Sequence, residues 1–145
     1  MVYVKFQCLI LFFEFQILKW LASQNLKIWQ LARSQANVLW QIYSDGTFCK
    51  DFELRNQISK SSGSAMDNIA EGFERSGNKE FIHFLHIAKA SNGEVRSQLY
   101  RALDRNHITI KNFEELKSNC ETISKKTTAF IKYLKESDLK GFRFS

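Results

Sequence analysis

Hydrophobic positions repeat at helical spacing in four successive segments, beginning near residue 26. The clearest is the last, where Phe113, Leu116, Cys120, Ile123, Thr127, Phe130 and Leu134 alternate between steps of three and four. That spacing predicts an amphipathic helix whose seam faces other helices. Glu114, Glu115 and Glu121 load its first half and Lys125, Lys126, Lys132 and Lys135 its second, the order the helix macrodipole favours. The third segment, about residues 78–106, offers Phe81, Phe84, Leu85, Ala88, Val95, Leu99, Ala102 and Leu103 to a core. Ser91 and Asn92 interrupt that face, and a polar residue on a buried seam is expected to be hydrogen-bonded there.

The first segment, about residues 26–44, puts Trp29, Ala32, Ala36, Leu39, Trp40 and Tyr43 on one face and Leu31, Val38 and Ile42 on roughly the opposite one. Two apolar faces on one helix call for two covers. A second subunit is the economical expectation, and the chain preceding the helix is its rival. The second segment is harder, because "SKSSGSA" reads by composition as a loop. Leu54, Ile58, Ser61 or Ser62, Ala65 and Ile69 nevertheless keep helical spacing through it. The expectation is one helix over about 52–71 with a waist of small residues. If that helix runs antiparallel to the third, the waist lies opposite residues 88–92 and the two backbones approach closely.

Short connections at 44–48 and 105–110 complete the expected fold, an all-α, antiparallel up-down four-helix bundle over residues 26–136. A basic tail, 137–145, follows. The 145 residues suit one domain, and the absence of proline leaves helices free to run long. Residues 1–25 form a separate apolar extension. Lys5, Glu14 and Lys19 break it up, so it falls short of the ~20 apolar residues that span a bilayer. The charged Glu14 also spoils a signal peptide, leaving an interfacial anchor or an upstream start codon as the readings to prefer. Cys8, Cys49 and Cys120 are odd in number and scattered, a pattern that fits a reducing cytoplasm better than a disulfide framework.

Glu80-x-x-His83 inside a four-helix bundle raises the prospect of a carboxylate-bridged di-metal site, which needs two such motifs on different helices. The nearest second copy, Asp104-x-x-His107, lies on the same helix about 36 Å further along at 1.5 Å per residue. With Phe81, Leu85 and Ala88 inward, helical geometry also turns His83 and His86 outward. No nucleophile elbow surrounds any serine, and "GFERSG" lacks the lysine and preceding strand of a phosphate-binding loop. These features predict no enzyme, no cofactor and no metal.

The polar stretch "MDNIAEGFERSGNKEF" (66–81) reads best as a structural corner. Gly72 suits the left-handed position after a helix end. Glu71 opposes the macrodipole and Asn68 is a poor helix former, so both call for partners such as Arg75 or Lys79. The outward side of the third helix carries His86, Ala90, Gly93 and Ser97. A glycine inside a helix costs up to ~1 kcal/mol against alanine, which asks for a packing reason. A groove of small residues suits another helix, and together with Leu31, Val38 and Ile42 it points to a homo-oligomer. The net charge of +6 favours anionic partners. Lys89, Arg96, Arg101, Arg105, Lys125, Lys126, Lys132 and Lys135 are the candidate contacts for RNA or DNA, and Phe142 and Phe144 are candidate stacking rings. The competing expectation is an oligomeric scaffold for a partner protein, with the basic charge serving solubility alone.

Residues 57–103, with "NIAEG" followed by "EF-x-x-FL-x-IA", closely resemble the bacterial four helix bundle protein family, and "LKIWQLARSQANVLWQIY" (26–43) resembles its opening helix. That family was first noticed as reading frames inside intervening sequences of large-subunit ribosomal RNA genes. The resemblance implies an antiparallel bundle assembling into a ring, a pentamer, with no enzymatic activity. Distant relatives of the same fold resemble accessory proteins of diversity-generating retroelements, where a basic ring binds reverse transcriptase and nucleic acid. By that analogy a reverse transcriptase is a further candidate partner. The chain departs from the family pattern in residues 1–25, in Ala90 where glycine is common, and in Gly77 where a serine cap often stands.

Overall fold

The computed structural model describes residues 26–75 and 77–139. Its helices are α1 (Lys27–Tyr43), α2 (Phe52–Glu74), α3 (Asn78–Asp104) and α4 (Ile110–Leu139), with a 3₁₀ turn (Phe48–Lys50) between α1 and α2. Each helix packs against its neighbours in sequence and α4 closes back on α1, giving an antiparallel four-helix bundle. The apolar extension 1–25 and the tail residues Lys140, Phe142, Arg143 and Phe144 lie outside the described residues. α4 continues to Leu139, so the first residues of the expected tail are helical.

Two apolar clusters fill the interior. One gathers Leu39, Phe48, Leu54, Leu99, Phe113 and Leu116, and the other Ile28, Ile69, Phe81, Leu85 and Leu134. A polar layer separates them. Gln35 Nε2 donates to Asn92 Oδ1 (3.2 Å), Asn92 Nδ2 donates to the Cys120 carbonyl (2.8 Å), and the Cys120 thiol donates to Gln35 Oε1 (3.6 Å). The triangle joins α1, α3 and α4. Ser61 and Ser62, both buried, add the α2 contribution, and Thr127 is satisfied by the carbonyl of Ile123 one turn back. Every fully buried side-chain N or O atom among the described residues has a partner.

The small-residue waist is helical throughout and meets α3 where spacing predicted. Ser64 and Ser91 share a hydrogen bond (2.9 Å), and the Ser61 hydroxyl donates to Gln98 Oε1 (2.5 Å). Three expectations need correction. The buried row of α1 is Ile28, Ala32, Gln35, Leu39 and Tyr43, which keeps Ala32, Leu39 and Tyr43 of the first predicted stripe but shifts toward the second through Ile28 and Gln35. Those stripes are the shoulders of one face, so Val38 and Ile42 pack on the bundle's own core while Trp40 is 62% exposed. In α4 a step of four from Thr127 puts Ile131 in the core and leaves Phe130 half-buried, because the 3.6-residue helix drifts against a heptad. Gly72 lies within α2, two residues before its end, and the positive φ belongs to Gly77 (119°), which starts α3 without a side-chain cap.

Gly72 is required for a different reason. A Cβ there would stand 2.6 Å from Phe84 Cβ and 2.9 Å from Phe81 Cδ2, so only glycine lets α2 and α3 close at this end. The corner's polar residues find partners nearby. Asn68 Nδ2 donates to the Ser64 carbonyl (2.8 Å), and the Arg75 guanidinium pairs with Glu71 (2.6 Å) and lies 5.2 Å from the Phe84 ring centroid.

The other end is held by a clasp. Asp51 caps α2 by accepting from the Leu54 N–H (3.2 Å), while its second oxygen accepts from Arg105 (2.6 Å) and pairs with His107 Nε2 (2.9 Å). His107 Nδ1 meets Thr47 Oγ1 (2.9 Å), and the imidazole stacks on Phe48 at 5.1 Å. The clasp ties the connection before α2 to the one after α3.

Gly72→Ala is expected to lower stability by about 1–3 kcal/mol through overpacking. Gly63→Ala, where an added Cβ meets nothing within 4 Å, should raise it by about 0.5–1 kcal/mol. Urea unfolding of both variants checks the contrast. Asn92→Ala leaves the buried Gln35 Nε2 donor without its acceptor and should cost about 1–3 kcal/mol in the same measurement. Arg105 first, then His107, hold the Asp51 carboxyl at about 2, below its ordinary 3.8. A lowered folded pKa means that the clasp is complete above the ordinary value and lost as pH falls toward the folded one. The stability gap between the protein and Asp51→Asn should therefore narrow as pH drops from about 4 to about 2, read by thermal melts across that window.

Candidate binding groove

The flank where α3 meets α4 opens into a groove of ≈ 290 Å³ lined by His86, Lys89, Ala90, Asn92, Gly93, Arg96, Cys120 and Ser124. Its shape follows from residue size. Ala90 and Gly93 leave the α3 side low, and a Cβ on Gly93 would meet nothing within 4 Å. Internal packing therefore does not require this glycine. Asn92 and Cys120 form the floor, already engaged in the buried triangle beneath it. Burial pushes the Cys120 thiol up to about 11, against the hydrogen bond to Gln35, so it stands as a neutral donor and not a nucleophile at neutral pH.

Two sets of residues that the sequence treats separately meet here. Lys89 and Arg96 come from the basic set, while His86, Ala90 and Gly93 come from the expected subunit contact. Ser97 is exposed one turn beyond Gly93. Lys89 and Arg96 stand two turns apart, about 10 Å along α3, and neither forms an ion pair among the described residues. Arg96 and the acidic Glu121 both act on the Cys120 thiol, so the field at the floor is mixed and the cationic rim belongs to α3.

The remaining basic residues divide. Arg101 donates to Gln57 Oε1 (2.6 Å) and pairs with Glu53 (3.5 Å), and Arg105 belongs to the Asp51 clasp. Both face α2, away from the groove. Lys132 reaches Glu136 at 3.9 Å, whereas Lys125, Lys126 and Lys135 are exposed without ion pairs among the described residues. At about 100° per residue Lys135 and Lys132 follow the Ser124 flank, and Lys126 turns toward the other side of α4. Leu31 is half-buried on α1, remote from this groove in the helix order.

His83 and His86 are both exposed, and no group of three or more His, Cys, Asp or Glu side chains among the described residues could hold a metal. Sequence spacing put His107 on the third helix in an Asp104-x-x-His107 pair, but α3 ends at Asp104 and His107 stands in the following connection, its side chain only 11% exposed. Thr47, His107 and Asp51 follow the order of a hydroxyl–imidazole–carboxylate relay. Two of the three also serve the clasp: the imidazole lies flat on Phe48, and the carboxylate caps α2 and pairs with Arg105. Gln35 was hidden, since an amide on an apolar stripe looks like an interruption until its partners are known. No described helix is long and apolar enough to cross a membrane.

A solved structure of a protein of unknown function from the S23 ribosomal protein family of Bacteroides thetaiotaomicron VPI-5482 superimposes with a TM-score of 0.66 at 22% identity. The match covers 72% of this chain and 98% of that one, and at this identity it speaks for the fold. No curated protein matches the chain. The model of the family described as 23S rRNA-intervening sequence protein matches residues 24–129, most of the chain and nearly the whole bundle. The four helices, the "NIAEG" corner and that match together make this chain a member of the 23S rRNA-intervening sequence protein family.

Proposed function

We propose that the protein is a non-enzymatic, homo-oligomeric accessory protein of the cytoplasm that binds RNA or DNA through the α3–α4 groove. The observation that carries this reading is the sorting of its cations. Arg101 and Arg105 are neutralised by α2-side carboxylates, while Lys89 and Arg96 form no ion pair among the described residues and stand on the rim of a recess that Ala90 and Gly93 leave low. Phosphate contacts of this kind are independent of sequence and release counterions. Assembly into a ring would multiply a modest charge per chain. The family's name, with its 23S rRNA intervening sequence, supplies a nucleic-acid setting.

Gly93 favours a second reading, a scaffold in which a helix of another chain seats in the groove, because its missing side chain serves no internal contact. Gly93→Leu separates the two. Weakened nucleic-acid binding at unchanged mass in analytical ultracentrifugation supports the first reading, and a fall to monomer supports the second.

Gel shifts with mixed RNA and DNA across a salt series test the main reading. Binding should weaken steeply with salt, and Lys89→Ala and Arg96→Ala should each lower the log–log salt slope by roughly one. Arg101→Ala and Arg105→Ala should change the slope far less. Absence of binding, or binding indifferent to Lys89 and Arg96, would sink the proposal.

A further inference from the structure

Arg96 is the last α3 residue that lines the groove. One turn further along the same flank of α3 stands Tyr100, four residues from Arg96 and seven from Gly93. Its side chain is 47% exposed, in contrast to Leu99 beside it, which is fully buried. The ring is nevertheless held in place. It packs on Phe113 of α4 in a T-shaped arrangement, with ring centroids 4.8 Å apart and planes at 68°, and Phe113 itself is 4% exposed and anchored in the core. Tyr100 is therefore an aromatic surface fixed by the bundle interior and left open to solvent on its other side.

An isolated exposed aromatic calls for no explanation. This one continues a row of unpaired cations. Lys89, Arg96 and Tyr100 lie along one flank over about 16 Å at 1.5 Å per residue, with the small residues Ala90 and Gly93 between the cations. Cations tracking a backbone beside a ring that can stack on a base are the two elements of single-strand recognition. A duplex would use only the first, since its bases are stacked on one another and offer no free face to Tyr100. Trp40, Phe52 and Tyr133 are exposed as well, but they stand on α1, at the start of α2 and beside Phe130 on α4, and none shares α3 with Lys89 and Arg96.

Resting on the nucleic-acid reading above, we infer that the α3–α4 flank is a binding site for single-stranded RNA or DNA, in which Lys89 and Arg96 hold the backbone and Tyr100 stacks on a base. Ala90 and Gly93 let the strand lie close to the α3 backbone. Backbone and stacking contacts of this kind recognise strandedness and not sequence.

Fluorescence anisotropy with labelled oligo(dT), oligo(rU) and a hairpin duplex of equal length at one salt concentration tests the inference on the full chain. At least one single strand should bind more tightly than the duplex. Tyr100→Leu keeps an apolar cover over Phe113 but removes the ring. It should weaken single-strand binding roughly tenfold or more, leave duplex binding and the salt slope unchanged, and keep the melting temperature close to that of the parent. Tyr100→Phe should restore single-strand affinity, which a loss of folding would not allow. Tighter duplex binding, or equal single-strand affinities for the protein and Tyr100→Leu, would overturn the single-strand site while leaving a Lys89- and Arg96-dependent interaction standing. Loss of the dependence on those two cations would overturn both readings together.

Discussion

One buried amide organises this bundle. Asn92 accepts from Gln35 of α1 and donates to the Cys120 carbonyl of α4, and the Cys120 thiol closes the triangle back to Gln35. An apolar seam tolerates sliding by a turn, because one methyl-rich layer resembles the next. A three-way hydrogen-bonded junction does not, since any slip would bury unpartnered polar atoms at a cost of about 1–3 kcal/mol each. The two apolar clusters lie on either side of this layer, so the layer sets which residues face each other in both.

The ends are fixed by different means. At one, α2 and α3 come so close that Gly72 has no room for a side chain against Phe81 and Phe84. At the other, Asp51 joins a helix cap, an arginine and a histidine, drawing two connections together. The first device is steric and indifferent to solution conditions. The second is electrostatic and fades in acid. Between them the α2–α3 hairpin is held at both ends, and its serine waist allows close packing along the middle.

The same framework determines which charges are available. Arg101 and Arg105 look equivalent to Arg96 in a list of basic residues, yet they turn toward acidic partners on α2 and in the clasp. Arg96 and Lys89 turn toward α4, where small side chains leave a recess and no carboxylate among the described residues pairs with them. The floor of that recess is the polar triangle itself, so the residues that set helix register also shape the surface above them. A basic protein has thereby become one with a directed cationic edge.

By itself the amino-acid sequence determined the four helices, their up-down order, the waist opposite residues 88–92 and most of the α3 and α4 seams. Those features depend on periodicity and residue size, which are local and can be read one helix at a time. It misplaced the buried row of α1 because Trp40 is as apolar as Leu39, and only the neighbouring helices decide which of the two is covered. It saw that Gly72 mattered but assigned the wrong reason, since a close approach depends on Phe81 and Phe84 of the next helix. Gln35 and Tyr100 carried no signal and His107 a misleading one: an amide, a phenol and an imidazole acquire roles only from partners 57, 13 and 56 positions away. The groove, likewise, exists only between helices. Tertiary structure decided it because pairing, exposure and free charge belong to two surfaces meeting and not to either alone.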